Sequence, residues 1–265
     1  MATPPRNQKA PSYVQGHDLL VGKNVVITAA AGTGIGFAVA KRCIEEGATV
    51  TISDIHERRL SEAGDRLAEI GKGRPHAVLC NVTVEDDISF LFESAIESMG
   101  QVDVLINNAG LGGDTRLVDM SDQQWSAVLD VTLNGTMRAT RAALRHMMDR
   151  GSGVIVNNAS VVGWRAQVGQ CHYAAAKAGV MALTRCAALE AAEAGVRINA
   201  VSPSLAMHPF LEKVSDKAFL DSLVEAEAFK RSAETWEIAN VMVFLASDYS
   251  SYMTGETVSV SSQHP

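Results

Sequence analysis

The feature that most constrains the fold of this 265-residue chain is a strand, turn, helix and strand unit near its start. Residues 23–27 form a short β-type run, residues 28–36 contain three glycines, and residues 37–47 have the apolar spacing of a helix that stops at a glycine. A second strand-like run follows at 49–53. A helix between two such strands joins parallel neighbours, so the sequence predicts an α/β fold: a doubly wound parallel sheet with helices on both faces.

The glycine turn of this unit has the chemistry of a phosphate site. Glycines let the backbone approach a pyrophosphate, and the following helix presents free N–H groups and the positive end of its dipole. Asp54 ends the second strand, eighteen residues past the last glycine, where a carboxylate accepts hydrogen bonds from both ribose hydroxyls and repels a 2′-phosphate. We therefore expect NAD, with NADP less favoured. The predicted contacts in the turn are Thr28, Gly32, Thr33, Gly34, Ile35 and Gly36.

A second pattern supplies acid and base chemistry. Tyrosine holds its proton to about pH 10, so a phenolate forms near neutrality only beside a cation. Lys177 lies four residues after Tyr173, on the same face of a predicted helix. Ser160 follows an apolar strand at 153–159, at the edge where open α/β sheets bind ligands. These three residues are predicted to be catalytic, whereas His172, next to the tyrosine on the helix, points about 100° away from it.

In this order the motifs resemble those of the short-chain dehydrogenase/reductase family, from about Leu20 to the end of the chain. The run Asn-Asn-Ala-Gly at 107–110 matches the family's sheet-supporting motif, and residues 197–203 match its strand leading to the nicotinamide. The resemblance implies a single Rossmann-like domain in which Tyr173 takes the alcohol proton, Ser160 bonds the oxygen, and Lys177 lowers the tyrosine pKa and holds the ribose. It also implies cofactor contacts from Tyr173, Lys177, Asn81, Val82, Asn108, Ala109, Gly110, Pro203, Ser204, Ala206 and His208.

The chain departs from the family pattern at some of these positions. Ala29 and Ala30 replace a usual Thr-Gly pair, unless the phosphate loop is one residue longer. Thr132 stands where the family has a catalytic Asn that holds a proton-relaying water, and its hydroxyl is expected to bind such a water less rigidly. Ser204 replaces a glycine. His208 replaces a threonine, and we expect it either to contact cofactor or substrate or to be solvated.

The length of the chain favours a single domain, and its composition argues against a membrane, nucleic acid or a metal ion as a partner. Strand and helix alternate without a reset, which predicts a domain over residues 19–265 after a mobile or surface-draped arm at 1–18. No apolar run reaches the roughly twenty residues of a membrane helix and no signal peptide is apparent, so a cytoplasmic protein is expected. The net charge of −7, without a basic run, argues against nucleic acid, and no residue cluster has metal-ligand spacing.

Substrate clues come from the region 205–232, where the family carries a mobile substrate lid. Apolar side chains recur there at helical spacing, which fits either a lipophilic pocket wall or simple packing of the lid. Met207 and Phe210 lie nearest the nicotinamide strand, and Trp164 follows Ser160 by four residues. These three side chains are the predicted substrate contacts.

A narrower resemblance concerns the substrate itself. The stretch at 157–167, Thr132 and the C-terminal run at 258–265 resemble the actinobacterial dehydrogenases of sterol-ring degradation, which act on a hydrindanone-propanoyl-CoA. This resemblance implies a lipophilic, CoA-linked alcohol. The alternatives are a 3-oxoacyl thioester reductase and a non-catalytic nucleotide-sensing or scaffold protein.

The resemblance also implies an assembly. Long helices are predicted at 125–148 and 173–194, with apolar residues on more than one side. Family members pair these helices about one two-fold axis and the last strand, here 257–261, about another. A homotetramer is therefore expected, in which residues 263–265 extend the last strand toward a neighbouring subunit.

Overall fold

The structure is a computed structural model that describes residues 9–71, 73–214 and 217–262, with the side chains of Phe210 and Val214 outside the described set. The strands are β1 Asn24–Ile27, β2 Thr49–Asp54, β3 His76–Leu79, β4 Val104–Asn107, β5 Gly153–Asn158, β6 Val196–Pro203, β7 Ala206–Met207, β8 Ala233–Glu234 and β9 Thr257–Val260. Seven of them form one parallel sheet, in the order β3-β2-β1-β4-β5-β6-β9.

Helices cover both faces of this sheet. They are α1 Ile35–Glu45, α2 Glu57–Ala68, α3 Glu85–Met99, α4 Asp122–Leu129, α5 Gly135–Arg150, α6 Cys171–Ala192, α7 Pro209–Val214, α8 Lys217–Ala226 and α9 Thr235–Ala246. A π-helical segment, Asp130–Asn134, joins α4 to α5. The predicted doubly wound α/β fold is confirmed, whereas the single helix expected at 125–148 is divided into three segments.

The core has two parts because strand side chains alternate between the sheet faces. Val25 and Ile27 of β1 pack in a cluster with α1 and α9, while Val26 between them packs in a cluster with α3, α5 and α6. Val25, Val26 and Ile27 are all fully buried. The near-continuous apolar runs in the sequence therefore reflect a sheet that is covered on both sides.

The topology places a crevice at one edge of the sheet. After β1 the chain moves outward through β2 and β3, and β4 then returns to the other side of β1. Where the chain leaves two neighbouring parallel strands in opposite directions, a gap remains beyond their carboxyl ends, and open α/β sheets bind ligands in this gap. Asp54, Asn107, Asn158 and Pro203 are the last residues of β2, β4, β5 and β6, and they border this gap.

Residues 13–18 of the predicted N-terminal arm, together with Leu19, lie along α1 and α9, and residues 1–8 lie outside the described residues. Glu46, which is fully buried, accepts hydrogen bonds from the backbone N–H groups of His17 (2.8 Å) and Leu19 (3.0 Å) and pairs with buried Arg42 at 2.5 Å. Tyr13 packs edge-on against Trp236, with ring centroids 5.4 Å apart. A charge-assisted network therefore fastens this segment to the domain.

The predicted lid begins and ends at the same place. β7 and β8 pair in parallel, with Ala206 opposite Ala233 and Met207 opposite Glu234. Close to this ladder, Arg231 forms a two-pronged ion pair with Glu237 of α9, at 2.6 and 2.8 Å. The two chain ends of the lid are thus held together beside the crevice.

Candidate active site

The phosphate loop between β1 and α1 has the backbone shape that its glycines permit. Gly32 has a φ of +94°, a region that side chains other than glycine rarely adopt, and Ala29 also has a positive φ of +51°. A Cβ on Gly36 would collide with the Ala29 carbonyl oxygen and the Asn108 amide. Gly34 caps α1 without a side-chain hydrogen bond, so the first-turn N–H groups face the crevice. This cradle fits a pyrophosphate.

Asp54 lies at the end of β2, almost fully buried, beside this loop. Its carboxylate accepts hydrogen bonds from the backbone N–H groups of His56 (3.0 Å) and Ala31 (3.3 Å). Burial raises the pKa of the carboxyl, and the guanidinium of Arg59, 4.0 Å away, opposes that rise. The position fits recognition of ribose hydroxyls.

Arg66 is a residue beside the loop that sequence analysis missed. Its guanidinium donates to the Gly32 carbonyl oxygen at 3.0 Å and stacks over the Phe37 ring, 3.9 Å from the centroid. It lies seven residues after Arg59, so both project from the same face of α2 toward the loop. The seven-residue spacing of Arg59 and Arg66 is the sequence pattern from which this contact could have been predicted.

The Asn-Asn-Ala-Gly motif braces the strand ends around the crevice. The Thr28 hydroxyl accepts from the backbone N–H groups of Asn108 (3.0 Å) and Ala109 (3.1 Å). The Asn108 side chain donates to the Ala29 carbonyl oxygen at 2.9 Å and accepts from Asn158 at 3.0 Å. β1, β4 and β5 are therefore held together at the point where their carboxyl ends meet.

Ser160, Tyr173 and Lys177 converge at this edge of the sheet. Ser160 lies two residues past the end of β5 and hydrogen-bonds the Tyr173 hydroxyl. One turn further along α6, the ammonium of Lys177 lies 5.5 Å from the tyrosine ring centroid and donates to the Asn158 carbonyl oxygen. A Cβ on Gly110 would lie 3.6 Å from that ammonium, so the glycine leaves the space beside it open. The three side chains can hold an alcohol oxygen and move its proton.

Burial changes the acidity of two of these groups in ways that the spacing did not predict. Burial raises the pKa of Tyr173 to about 12, and the hydrogen bond from Ser160 opposes the rise only in part. Burial also lowers the pKa of Lys177 to about 7. Both shifts favour the neutral form of the side chain. The sequence-based expectation treated Lys177 as an ordinary cation, but the fold makes it one that loses its proton near neutral pH.

Thr132 lies at the site but is engaged with the backbone. It is fully buried in the π-helical segment, and its hydroxyl donates to the Leu111 carbonyl oxygen (3.1 Å) while accepting from the Leu111 N–H (3.0 Å). Because a hydroxyl has one proton, it has none left to donate to a relay water. The expected water-holding role therefore reduces to accepting a hydrogen bond. Asn134 bonds Asp130 at 3.1 Å, away from the site.

The predicted contacts on the adenine side flank β3 and α3. The Asn81 side-chain oxygen accepts from the backbone and hydroxyl of Thr83, at 3.1 and 2.9 Å, which leaves its amide NH₂ for a base edge. Val82 is buried and packs against Gly135, at the start of α5. Both residues lie beyond the end of β3.

The segment after β6 brings His208 to the phosphate loop. Its imidazole lies 3.8 Å from the position of a Cβ on Gly34, and burial lowers its pKa while nearby Glu212 opposes this. The Ser204 N–H donates to the Val260 carbonyl oxygen at 3.2 Å, and Ala206 is buried in β7. Of the two outcomes expected for His208, contact with the cofactor site fits this position.

The candidate substrate contacts differ in exposure. Trp164 is 45 % exposed, and Met207 is partly buried in the lid ladder. The Phe210 side chain lies outside the described residues. A cavity of about 600 Å³ lies elsewhere, at the opposite edge of the sheet beside Lys23 and Arg197, and contains none of the predicted site residues.

Within residues 9–71, 73–214 and 217–262, no group of three His, Cys, Asp or Glu side chains is arranged to hold a metal ion. In the same ranges, no helix is both long and apolar enough to span a membrane.

Comparison with known proteins identifies the family. A family model described as "Enoyl-(Acyl carrier protein) reductase" matches residues 29–262. The chain belongs to the short-chain dehydrogenase/reductase family. It is an oxidoreductase of that family, as the motif order predicted, and the family uses NAD or NADP.

Three relatives of this dehydrogenase/reductase are informative. A Mycobacterium tuberculosis protein named "(5R,7aS)-5-hydroxy-7a-methyl-1-oxo-2,3,5,6,7,7a-hexahydro-1H-indene-carboxyl-CoA reductase" is 61 % identical over 97 % of this chain and 98 % of its own. The 3-oxoacyl-[acyl-carrier-protein] reductase FabG of Thermotoga maritima is 39 % identical over 91 % and 97 %. A crystal structure of a short chain dehydrogenase from Mycobacterium smegmatis superposes with a TM-score of 0.87, at 57 % identity over 98 % and 100 % of the two chains. The predicted resemblance to the actinobacterial dehydrogenases of sterol-ring degradation is thereby confirmed.

Proposed function

We propose that this protein interconverts a secondary alcohol and a ketone, using NAD and the residues Ser160, Tyr173 and Lys177. When bound, the nicotinamide supplies the hydride chemistry. In oxidation the phenolate form of Tyr173 accepts the hydroxyl proton, and in reduction the neutral form, which burial favours, donates that proton, while Ser160 hydrogen-bonds the reacting oxygen in both directions. The observation that carries the proposal is the meeting of Ser160, the Tyr173 hydroxyl and the Lys177 ammonium at the carboxyl edge of the sheet.

Lys177 has two parts in this proposal. Its ammonium donates to the Asn158 carbonyl oxygen and faces the open space beside Gly110, so it can also hold a ribose hydroxyl there. In its protonated form Lys177, with its ammonium 5.5 Å from the tyrosine ring centroid, stabilises phenolate charge, and the lowered pKa of the lysine makes its own proton easy to pass on. Thr132 supports the site by fixing the backbone at Leu111.

The preference for NAD rests on Asp54. A buried carboxylate beside the phosphate loop accepts ribose hydroxyls and repels a 2′-phosphate. Arg59 lies 4.0 Å from that carboxylate and Arg66 contacts the loop, so two cations moderate the repulsion. We propose NAD as the preferred cofactor because Asp54 is the buried group, whereas Arg59 has partial access to solvent that weakens its field.

The proposed substrate is a bicyclic alcohol or ketone that carries a CoA thioester. The relative at 61 % identity is named for a hydroxy-oxo-hexahydroindene with a carboxyl-CoA group, where the sequence resemblance named a propanoyl-CoA. Trp164, Leu111 and Val168 have exposed apolar side chains, and Leu111 adjoins Thr132 at the site, so we propose that these side chains form an apolar wall for the substrate. An apolar wall suits a fused ring system. The relative's name describes a reduction, and Ser160, Tyr173 and Lys177 act in both directions of the reaction.

A 3-oxoacyl thioester reductase is the second candidate, and the FabG relatives at 34–39 % identity favour it. Such a substrate is linear and places its ketone two carbons from the thioester, so it has no use for a broad apolar wall. A nucleotide-sensing or scaffold role is a weaker alternative because the complete trio of side chains is assembled.

The testing experiment is a turnover screen with matched pairs. The bicyclic hydroxy carboxyl-CoA and its ketone are compared with 3-hydroxybutanoyl-CoA and 3-oxobutanoyl-CoA, each with NAD(H) and NADP(H). We expect the highest kcat/KM for the bicyclic pair with NAD(H). Turnover of the linear pair alone would establish the second candidate. Binding of NAD without turnover of any pair would leave the sensing role.

We also propose a cytoplasmic homotetramer. On α6, Leu189 is 77 % exposed in the single chain, and on α4 the large side chain of Trp125 is 36 % exposed. An apolar helix face of this kind is usually covered by a partner, and two perpendicular two-fold axes give a closed tetramer. Residues 263–265, expected to reach a neighbour, lie outside the described residues.

A further inference from the structure

His172 occupies a position that the proposed chemistry does not use. It is the second residue of α6, immediately before Tyr173, and only 1 % of its surface is exposed. Buried histidines need hydrogen-bond partners because an unpaired ring nitrogen loses its water without compensation. The partners of this ring therefore indicate what it does.

One partner is the backbone of the residue proposed to carry the proton. The N–H of Tyr173 donates to Nδ1 of His172 at 2.9 Å. The first N–H groups of a helix have no partner within the helix, and this one belongs to that group. With Nδ1 as acceptor, the neutral ring carries its proton on Nε2, an assignment that follows from the hydrogen bond.

The opposite edge of the ring packs against a different element. A Cβ built on Gly113 would lie 2.7 Å from Nε2 and 3.3 Å from Cε1 of His172. Gly113 belongs to the loop at 110–116, which follows the Asn-Asn-Ala-Gly motif and borders the site. The imidazole thus fills the space between this loop and the first turn of α6.

Three neighbouring contacts show that the loop is fixed along its length. Thr132 holds Leu111 through both hydrogen bonds of its hydroxyl. Gln170 donates to the Gly113 carbonyl oxygen, and the Thr115 N–H donates to the Gly169 carbonyl oxygen at 3.0 Å. Only His172 touches both the loop and the N–H of Tyr173 among these anchors.

We propose that His172 is a positioning residue that sets the loop at 110–116 and the Tyr173 hydroxyl in register, with Nδ1 holding the helix and the ring edge holding Gly113. The proposal rests on the proposed function of Tyr173. Its physical reason is that proton transfer needs the donor and acceptor within hydrogen-bond reach, and displacements of about 1 Å cost up to about 100-fold in rate.

The test uses two glycines of one loop as a matched pair. Gly113→Ala places a methyl against the His172 ring, whereas a Cβ on Gly112 meets nothing within 4 Å, and neither glycine has a positive φ. We expect Gly113→Ala to lower kcat by about 10-fold, with KM for NAD and the NAD Kd within about 2-fold of wild type. Gly112→Ala should keep wild-type kcat.

Substitutions of the histidine separate its two contacts. His172→Leu removes the acceptor, and we expect kcat to fall by about 10-fold and exchange of the Tyr173 amide hydrogen to accelerate. His172→Asn keeps an acceptor at the same distance along the side chain but loses the ring edge, so protection of the Tyr173 amide should be retained while kcat falls by about 3-fold, less than in His172→Leu. Because asparagine lacks the outer ring atoms, Gly113→Ala should cost little in the His172→Asn background.

Each outcome decides the matter. Equal kcat for Gly112→Ala and Gly113→Ala, or additive effects of Gly113→Ala and His172→Asn, would overturn the proposal. Hydrogen exchange needs no substrate, so unchanged protection of the Tyr173 amide in His172→Leu would also overturn it. If the wild-type protein turns over none of the screened substrates, the proposed function fails, while the exchange result still decides whether His172 anchors α6.

Discussion

Replacing Lys177 by methionine tests whether the site is built at the expense of stability. Methionine has a similar length and no charge, so Lys177→Met removes the buried ammonium without opening a large cavity. Burial lowers the pKa of this lysine from 10.5 to about 7. The folded protein therefore binds its proton more weakly than the unfolded chain, and the buried charge destabilises the fold wherever the lysine is protonated.

The pH dependence follows from those two pKa values. The penalty is complete below the folded pKa of about 7, declines as pH rises, and is gone above the unfolded value of 10.5. The penalty is about 5 kcal/mol near pH 6 and less than about 2 kcal/mol near pH 9.5, because each pH unit between the folded and the unfolded pKa of the lysine is worth about 1.4 kcal/mol. The hydrogen bond from Lys177 to Asn158 is lost at both pH values, so the difference of about 3 kcal/mol isolates the charge.

The assay is urea unfolding of wild type and Lys177→Met at the two pH values, at one protein concentration. We expect the variant to gain about 3 kcal/mol more in the free energy of unfolding at pH 6 than at pH 9.5, and to lack turnover at both. Lys213→Met, on an exposed side chain of α7, is the control and should change the free energy of unfolding equally at both pH values. A gain in Lys177→Met that does not depend on pH would refute the reasoning.

The other expected outcomes concern chemistry, cofactor, loop and assembly. Tyr173→Phe should lower kcat by about 100- to 10,000-fold with the NAD Kd unchanged, which steady-state kinetics and fluorescence titration measure; near wild-type turnover would remove its role. Asp54→Ala should weaken the binding of NAD and lower the ratio of kcat/KM with NAD to kcat/KM with NADP. A wild-type preference for NADP would show that Arg59 or Arg66, rather than Asp54, determines the choice of cofactor. Thr132→Val should lower kcat by about 10-fold through release of the loop backbone, with Thr132→Ser near wild type; equal kcat values would contradict this. Leu189→Glu should reduce the tetramer content seen by light scattering, and a monomeric wild type would exclude the assembly.

The sequence predicted the parts of the fold that depend on local pattern. The strand, glycine turn and helix at 23–47 and the acid at Asp54 have fixed spacings, and the structure places them as expected. The relation between Ser160 and Tyr173 was predictable for a related reason, because Ser160 lies just past the end of a strand and Tyr173 lies in the first turn of a helix at the same edge of the sheet.

What the sequence did not reveal depends on burial and on contacts between distant segments. The π-helical turn at Thr132 changes the helical period by one residue, which apolar spacing does not register. The low pKa of Lys177 arises from desolvation by the surrounding fold, and the contact of His172 with Gly113 joins residues 59 positions apart. The pairing of Arg42 and Glu46 was visible as an i, i+4 spacing, but its burial under residues 13–19 was not.

The two-residue ladder between β7 and β8 makes the predicted lid an exchangeable module. Its chain enters at Ala206 and leaves at Ala233, opposite each other, so the intervening residues form a closed excursion from the domain. Changes in the length or composition of that excursion leave the seven-stranded sheet and its two cores in place, because loop-closure entropy grows slowly with length. A relative can therefore carry a different segment between these two strands while Asp54, Ser160, Tyr173 and Lys177 keep their places, and His208, which lies in that segment beside the phosphate loop, is the one cofactor-site residue that changes with it.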